Sequence, residues 1–238
     1  MRNIFLAIFT SILLIFVSAC NQNHKTQKNN TTKIKEQVAL KDSSITSEIE
    51  EIEKDTFELT DENALDFFRA YEKDLKENKV KLTTSLGSFT VELYNNVPYH
   101  RANFIYLTKK GYFNNTQFHR VVPNFIIQGG NSDDVETARK RGNIGRYLLP
   151  PDTKKGHKHH RGTISMPSSE RDNPHKLASP FEFFIVVTNP GSYHLDSGYT
   201  PFGRVIEGMD VVDKINQSPI DTGEWPVKNI YILKAEAF

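Results

Sequence analysis

From Lys79 onward the apolar residues alternate with polar ones in short runs broken by turn residues, and this change of period limits the fold more than any other feature. "KVKLTTSLGSFTVELY" holds two such runs about Leu86-Gly87-Ser88, a hairpin signal. "FHRVVPNFIIQGG", Phe118 to Gly130, holds two more about Pro123-Asn124. "GTISMP", "FEFFIVV", "TPFGRVI" and "VKNIYILKAEAF" read as further strands. Two helices interrupt them. "PYHRANFIYLTKKGYF" opens with Pro98 and closes with Gly111, and "EGMDVVDKINQSP" is the second. "DDVETARKRGNIGRYLLPPDTKKGHKHHRG" is polar and turn-rich and reads as long loops. With no strand-helix-strand rhythm, the expected class is mostly β, an antiparallel barrel with capping helices rather than a parallel sheet.

The start of the chain is different. "MRNIFLAIFTSILLIFVSAC" has Arg2 followed by an apolar run from Ile4 to Val17, the pattern of an export signal and short for a membrane span. Val17-Ser18-Ala19-Cys20 resembles a bacterial lipobox, so a signal peptide is expected over 1–19 and lipid on Cys20. That reading explains why the only cysteine of the chain stands there, and it tethers the protein by acyl chains. A single cysteine excludes an intramolecular disulfide, thiol catalysis and a cysteine zinc site. Residues 20–56 read as a flexible tether, because 21–47 are too poor in apolar groups to offset the entropy of ordering. Residues 57–78 form a helical prelude, with a helix expected from Leu59 to Asn78, capped by Thr60 or Asp61. Its stripe of Leu65, Phe68, Tyr71 and Leu75 packs on the domain or offers a partner-binding face. The formal net charge of +1 gives no reason to expect nucleic acid.

Four blocks in order, "FHRVVPNFIIQGG", "GTISM", "FEFFIVV" and "LDSGYTPFGRVIEGMDVVDKI", resemble the cyclophilin family of peptidyl-prolyl isomerases over residues 79–238. The resemblance implies a closed eight-stranded antiparallel barrel capped by two helices, with the substrate groove on its outer face. It places Arg120 as the catalytic arginine and Phe125, Ile126, Gln128, Phe184 and Leu195 in the groove. The remaining groove positions depart from the family pattern. Pro167-Ser168-Ser169 replaces a segment that gives backbone bonds to substrate, and Pro167 has no N–H. Glu182 stands for a glutamine, His194 for a tryptophan and Tyr199 for a histidine. Glu182 is expected to bring negative charge near Arg120.

The implied chemistry turns an X-Pro bond against a barrier of ~18–20 kcal/mol. Arginine suits it, since its charge does not titrate away and its planar fork can meet a carbonyl and the imide nitrogen together. On a strand, Phe118, Arg120 and Val122 are expected on one face. No metal, nucleophile or cofactor is required. His157, His159 and His160 invite a metal reading, but adjacent histidines in a Lys/Gly-rich loop are usually solvated. His119 is expected to support the barrel, Trp225 to pack locally, and only one of Phe183 and Phe184 to face the groove.

The expectation is a monomeric prolyl isomerase that assists exported proteins through their proline-containing segments. It is lipid-anchored in the cell envelope, at the outer membrane facing the periplasm. The rival is a lipid-anchored module that holds proline peptides with little turnover.

Overall fold

A computed structural model of the chain describes residues 57–168 and 173–238. Cys20, the export signal and the whole of the expected tether lie outside them. Among the described residues, strand β1 (Leu59–Thr60) and helix α1 (Ala64–Lys73) precede the hairpin β2 (Lys79–Thr84) and β3 (Gly87–Leu93). Helix α2 (Pro98–Lys109) leads to strands β4 (Thr116–Val122) and β5 (Ile126–Asn131). Helix α3 (Val135–Ile144) runs into β6 (Gly145–Arg146), followed by β7 (Thr163–Ser165) and β8 (Phe183–Val186). Strand β9 (Pro201–Glu207), helix α4 (Met209–Asn216) and strand β10 (Tyr231–Ala237) complete the chain.

Eight strands close on themselves in the order β10-β2-β3-β9-β7-β8-β5-β4, every neighbour antiparallel. The interior is aromatic. Phe118 meets Phe89 at 6.4 Å and stands edge-on to Phe183 at 6.0 Å. Phe104 of α2 plugs one end, edge-on to Phe183 at 5.5 Å. Such pairs add about 0.5–1.5 kcal/mol each beyond the area they bury.

The barrel agrees with the expectation, but the described residues form four α-helices rather than two caps and a prelude. Helix α3 lies where loops were expected. It lacks an apolar stripe and is started by its ends instead: Asp134 accepts from the Thr137 N–H at 2.7 Å, and Glu136 pairs with Arg139 at 2.8 Å. The prelude helix is shorter than expected because Leu59-Thr60 is extended and pairs in parallel with Gly145-Arg146. Neither Thr60 nor Asp61 caps it. Asn63 is the N-cap residue, and its side chain accepts from the Thr60 N–H, while Asp61 accepts from the Leu148 N–H at 2.8 Å. Phe68 is fully buried in the main core, with Leu65, Tyr71 and Leu75 packed against it, so the stripe covers the domain.

Strand β4 breaks the simple alternation. Phe118 pairs with Gly129 and Arg120 with Gln128, which leaves His119 as an extra residue in a bulge. Phe118 and Val121 therefore both point into the core, and Arg120 and Val122 point outward. The expectation that Phe118 shares a face with Arg120 fails for this reason. Gly130 ends the block because β5 passes close to the segment before β8. Its φ is +99°, and a Cβ there would lie 2.5 Å from the Phe181 carbonyl oxygen.

Candidate functional site

Outward-facing side chains of β5 and β8 leave the main core and form a second apolar cluster. Ile126, Phe184 and Val186 are buried in it, with Val122, Phe125, Leu195 and Tyr199 around them. Phe183 faces the barrel interior and Phe184 faces this cluster, as strand alternation requires. Tyr199 stands edge-on to Phe184 at 5.5 Å, and His194 stacks on Phe125 at 5.6 Å and 21°.

Next to this patch lies a cleft of about 720 Å³ whose walls include Arg120, Gln128, Pro167, Ser168, Glu182 and Tyr199. Of the residues singled out by sequence, these six line the cleft, while Phe125, Ile126, Phe184, His194 and Leu195 belong to the patch beside it. Pro167 and Ser168 are held to the opposite segment, Pro167 through its carbonyl on the Ser179 N–H at 2.8 Å and Ser168 through a bridge to Ala178.

Arg120 is bound on one edge only. Its Nε donates to Glu224 Oε2 at 2.7 Å, both side chains being about 40% exposed (41% and 39%). Neither Nη has a partner among the described residues, and Arg120 lines the cleft. The carboxylate that Arg120 meets is Glu224, not Glu182. Sequence reasoning missed Glu224 because it lies 104 residues away in a loop. That loop is clipped to β4 by the Val121 N–H on the Glu224 carbonyl at 2.8 Å. Asp221 shapes it, accepting from the Gly223 and Trp225 N–H groups at 2.8 and 3.0 Å. Trp225 is carried into the cleft wall, 6.0 Å from His119, rather than packing only within its loop.

Glu182 has other partners. It receives Gln128 Nε2 at 2.9 Å and Asn131 Nδ2 at 3.2 Å, and lies 3.4 Å from His119 Nε2 and 4.0 Å from Arg141. Burial pushes its pKa up, but the bonds and charge of His119 and the donation by Gln128 outweigh this and hold it below the usual range. One consequence falls on Gln128. Glu182 takes one N–H of the Gln128 amide, which leaves the second N–H to donate and the carbonyl oxygen to accept from a bound chain.

The three clustered histidines serve three separate places. His157 stacks on Tyr94 at 3.8 Å, and His160 meets the Tyr193 hydroxyl at 3.0 Å. His159 is fully buried rather than solvated, with Nδ1 on Asp196 at 2.8 Å and Nε2 on Ser165 Oγ at 2.9 Å. Burial lowers its pKa more than Asp196 raises it, so the ring stays neutral and stacks under Phe184 at 6.0 Å. It thereby ties the rim turn Tyr193–Leu195, which carries His194 and Leu195, to the groove floor. Chemically the arrangement offers a fixed cation beside an apolar slot, with a carbonyl acceptor across it.

Residues 79–237 match the family model for cyclophilin type peptidyl-prolyl cis-trans isomerase/CLD. A peptidyl-prolyl cis-trans isomerase of Acinetobacter baylyi is 39% identical over 152 residues, covering 62% of this chain and 77% of that protein. A peptidyl-prolyl cis-trans isomerase-like 1 of Aspergillus fumigatus is 36% identical over 159 residues, covering 66% and 93%. Among solved structures, a cyclophilin type peptidyl-prolyl cis-trans isomerase of Cryptosporidium parvum superposes with a TM-score of 0.57 at 27% identity, covering 68% of this chain and 98% of that one. A structure of the same protein in the presence of the dipeptide Ala-Pro superposes with a TM-score of 0.56 at 27% identity, covering 67% and 98%.

Proposed function

The chain belongs to the cyclophilin-type peptidyl-prolyl cis-trans isomerase family, and from that premise we propose that it is a lipid-anchored form of the enzyme that speeds folding of exported proteins in a bacterial envelope. The observation that carries the site assignment is the half-bound guanidinium of Arg120, in the cleft wall and next to the apolar patch.

The proposed mechanism follows from that geometry. The proline ring sits on Phe125, Ile126, Phe184 and Leu195. The substrate backbone bonds to the Gln128 carbonyl. As the imide bond twists, resonance is lost and its nitrogen regains a lone pair, which an Nη–H of Arg120 meets. A donor that binds the twisted form better than the flat one lowers the barrier. Excluding water from the apolar side strengthens that bond. Glu224 positions the fork, so Glu224→Gln is expected to lower kcat about threefold to tenfold with little change in KM. Stability should move by less than about 1 kcal/mol, as for an exposed ion pair. Steady-state kinetics and thermal unfolding of the variant check both parts.

Pro167 and the engaged amide of Gln128 favour the second reading, a module that holds proline segments with little turnover. Anchoring is supported by the pattern of the first twenty residues. Mass spectrometry of the mature protein is expected to find the chain starting at an acylated Cys20, and Cys20→Ser should release it from the membrane fraction. A mature start elsewhere overturns the anchor and leaves the isomerase reading in place.

A further inference from the structure

Trp225 is the only tryptophan of the chain, and it belongs to neither apolar cluster. It is 38% exposed and lines the cleft that holds Arg120. Among the described residues its ring neighbour is His119, at 6.0 Å and 53°. Most of the cleft wall is polar, and Trp225, Tyr199 and Pro167 supply its apolar faces. Tyr199 is packed with the proline slot, whereas the indole is packed with no apolar group of either cluster.

Backbone bonds of its loop hold it there. Asp221 accepts from the Trp225 N–H at 3.0 Å and donates its own N–H to the Trp225 carbonyl at 2.8 Å. Ile220 bridges Pro226, and the Val121 N–H of β4 fixes the Glu224 carbonyl at 2.8 Å. Glu224 has φ +65°, left-handed backbone that a glutamate seldom adopts and that persists only where its surroundings impose it. Along β4, Arg120 stands between Val122, which borders the proline slot, and His119, which meets Trp225. Those two residues are three positions apart, roughly 10 Å at ~3.3 Å per residue.

We propose that Trp225 is a specificity-determining residue, its indole a platform for an aromatic side chain of the substrate polypeptide two or three positions from the proline. The inference rests on the reading of the cleft as the isomerase site. A partly exposed indole gains from an offset-stacked or edge-on aromatic partner beyond the area the pair buries. A cationic side chain gains less. The charged groups of the wall, the histidine aside, are two guanidinium groups, Arg120 and Arg141, and one carboxylate, Glu182. Glu224, the acid next to the indole in sequence, is already paired with Arg120. Because the loop fixes the indole before substrate arrives, little ordering cost opposes the contact.

The test uses peptides with one proline among alanines and a single phenylalanine two or three positions before or after it. They lack tryptophan, so the emission belongs to Trp225 alone. At one of these positions phenylalanine is expected to raise kcat/KM over the all-alanine peptide, through KM, and to shift the emission to the blue as the indole is covered. In Trp225→Ala the ratio of kcat/KM for that peptide over the alanine one should fall about tenfold, and Trp225→Phe should keep much of it. A tryptophan that only props its loop lowers both peptides alike, so an unchanged ratio in Trp225→Ala overturns the proposal. If that variant fails to fold, the unmodified protein decides, since no blue shift with any phenylalanine peptide overturns it as well. If the unmodified protein accelerates none of the peptides, the isomerase reading itself fails. The platform is then decided by titration: tighter binding of a phenylalanine peptide, lost in Trp225→Ala, sustains it, and equal binding of all the peptides overturns it.

Discussion

Replacing Arg120 with alanine lowers kcat/KM for a proline peptide about a hundredfold, with the loss in kcat and KM nearly unchanged. Removing one preorganised donor aimed at developing charge costs on the order of a hundredfold to a thousandfold in other enzymes. The lower end applies here because the fork is about two-fifths exposed and water can take its place (41%). The proline slot is built from Phe125, Ile126, Phe184 and Leu195, an apolar cluster of which Arg120 is no member, so ground-state binding survives. Arg120→Lys should recover little of the rate. Lysine keeps the charge but has no Nε to lock on Glu224 while a second N–H faces the imide. Steady-state kinetics on both variants separates a positioned donor from bare positive charge. Full recovery by lysine would mean that the fork geometry is irrelevant.

The protein becomes unstable in mild acid, below the ordinary pKa of histidine. His100 of α2 is fully buried, neither ring nitrogen has a partner, and burial pushes its pKa from 6.5 down to about 3. The unfolded chain takes up a proton near pH 6.5 and the folded one does not. Stability from this group is therefore complete above that pH and falls below it, by up to about 1.4 kcal/mol per pH unit, until the pH nears 3. By about pH 4.5 the loss is on the order of 3 kcal/mol, a large part of the 5–15 kcal/mol typical of a domain. His159 and His157, also lowered by burial, add to the slope in the same window. Glu182 and Asp196 are lowered as well, but carboxylates contribute only at more acid pH. Denaturant unfolding across this range should show the decline, and His100→Leu should flatten it. A variant with the same slope as the parent would remove His100 from the account.

Most of the barrel was legible because a period of two is written directly into its strands and Pro98 marks a helix start. The elements that escaped do not announce themselves by periodicity. Helix α3 has no apolar face, and only the Asp134 cap signalled it. The bulge at His119 cannot be read from alternation, since it is the place where alternation stops. Within the site, Arg120, Gln128, Pro167, Ser168, Glu182 and Tyr199 line one cleft and Phe125, Ile126, Phe184 and Leu195 form the apolar cluster beside it, whereas Trp225 reaches the cleft and Glu224 reaches Arg120 through a loop whose course is fixed by Asp221. His159 was obscured by its basic, glycine-rich neighbours and is set by a buried contact with Ser165. The extended course of Leu59-Thr60 depends on a partner strand 86 residues further on.

What most directly separates turnover from mere holding is magnetisation exchange between the cis and trans signals of a proline peptide bound to the protein. Uncatalysed exchange takes tens to hundreds of seconds. The account predicts exchange cross-peaks within about a second in the presence of the unmodified protein. With Arg120→Ala they should vanish while the peptide's binding shifts persist. Binding shifts without exchange in the unmodified protein would contradict it, and would make the cleft a place where proline segments rest without being turned.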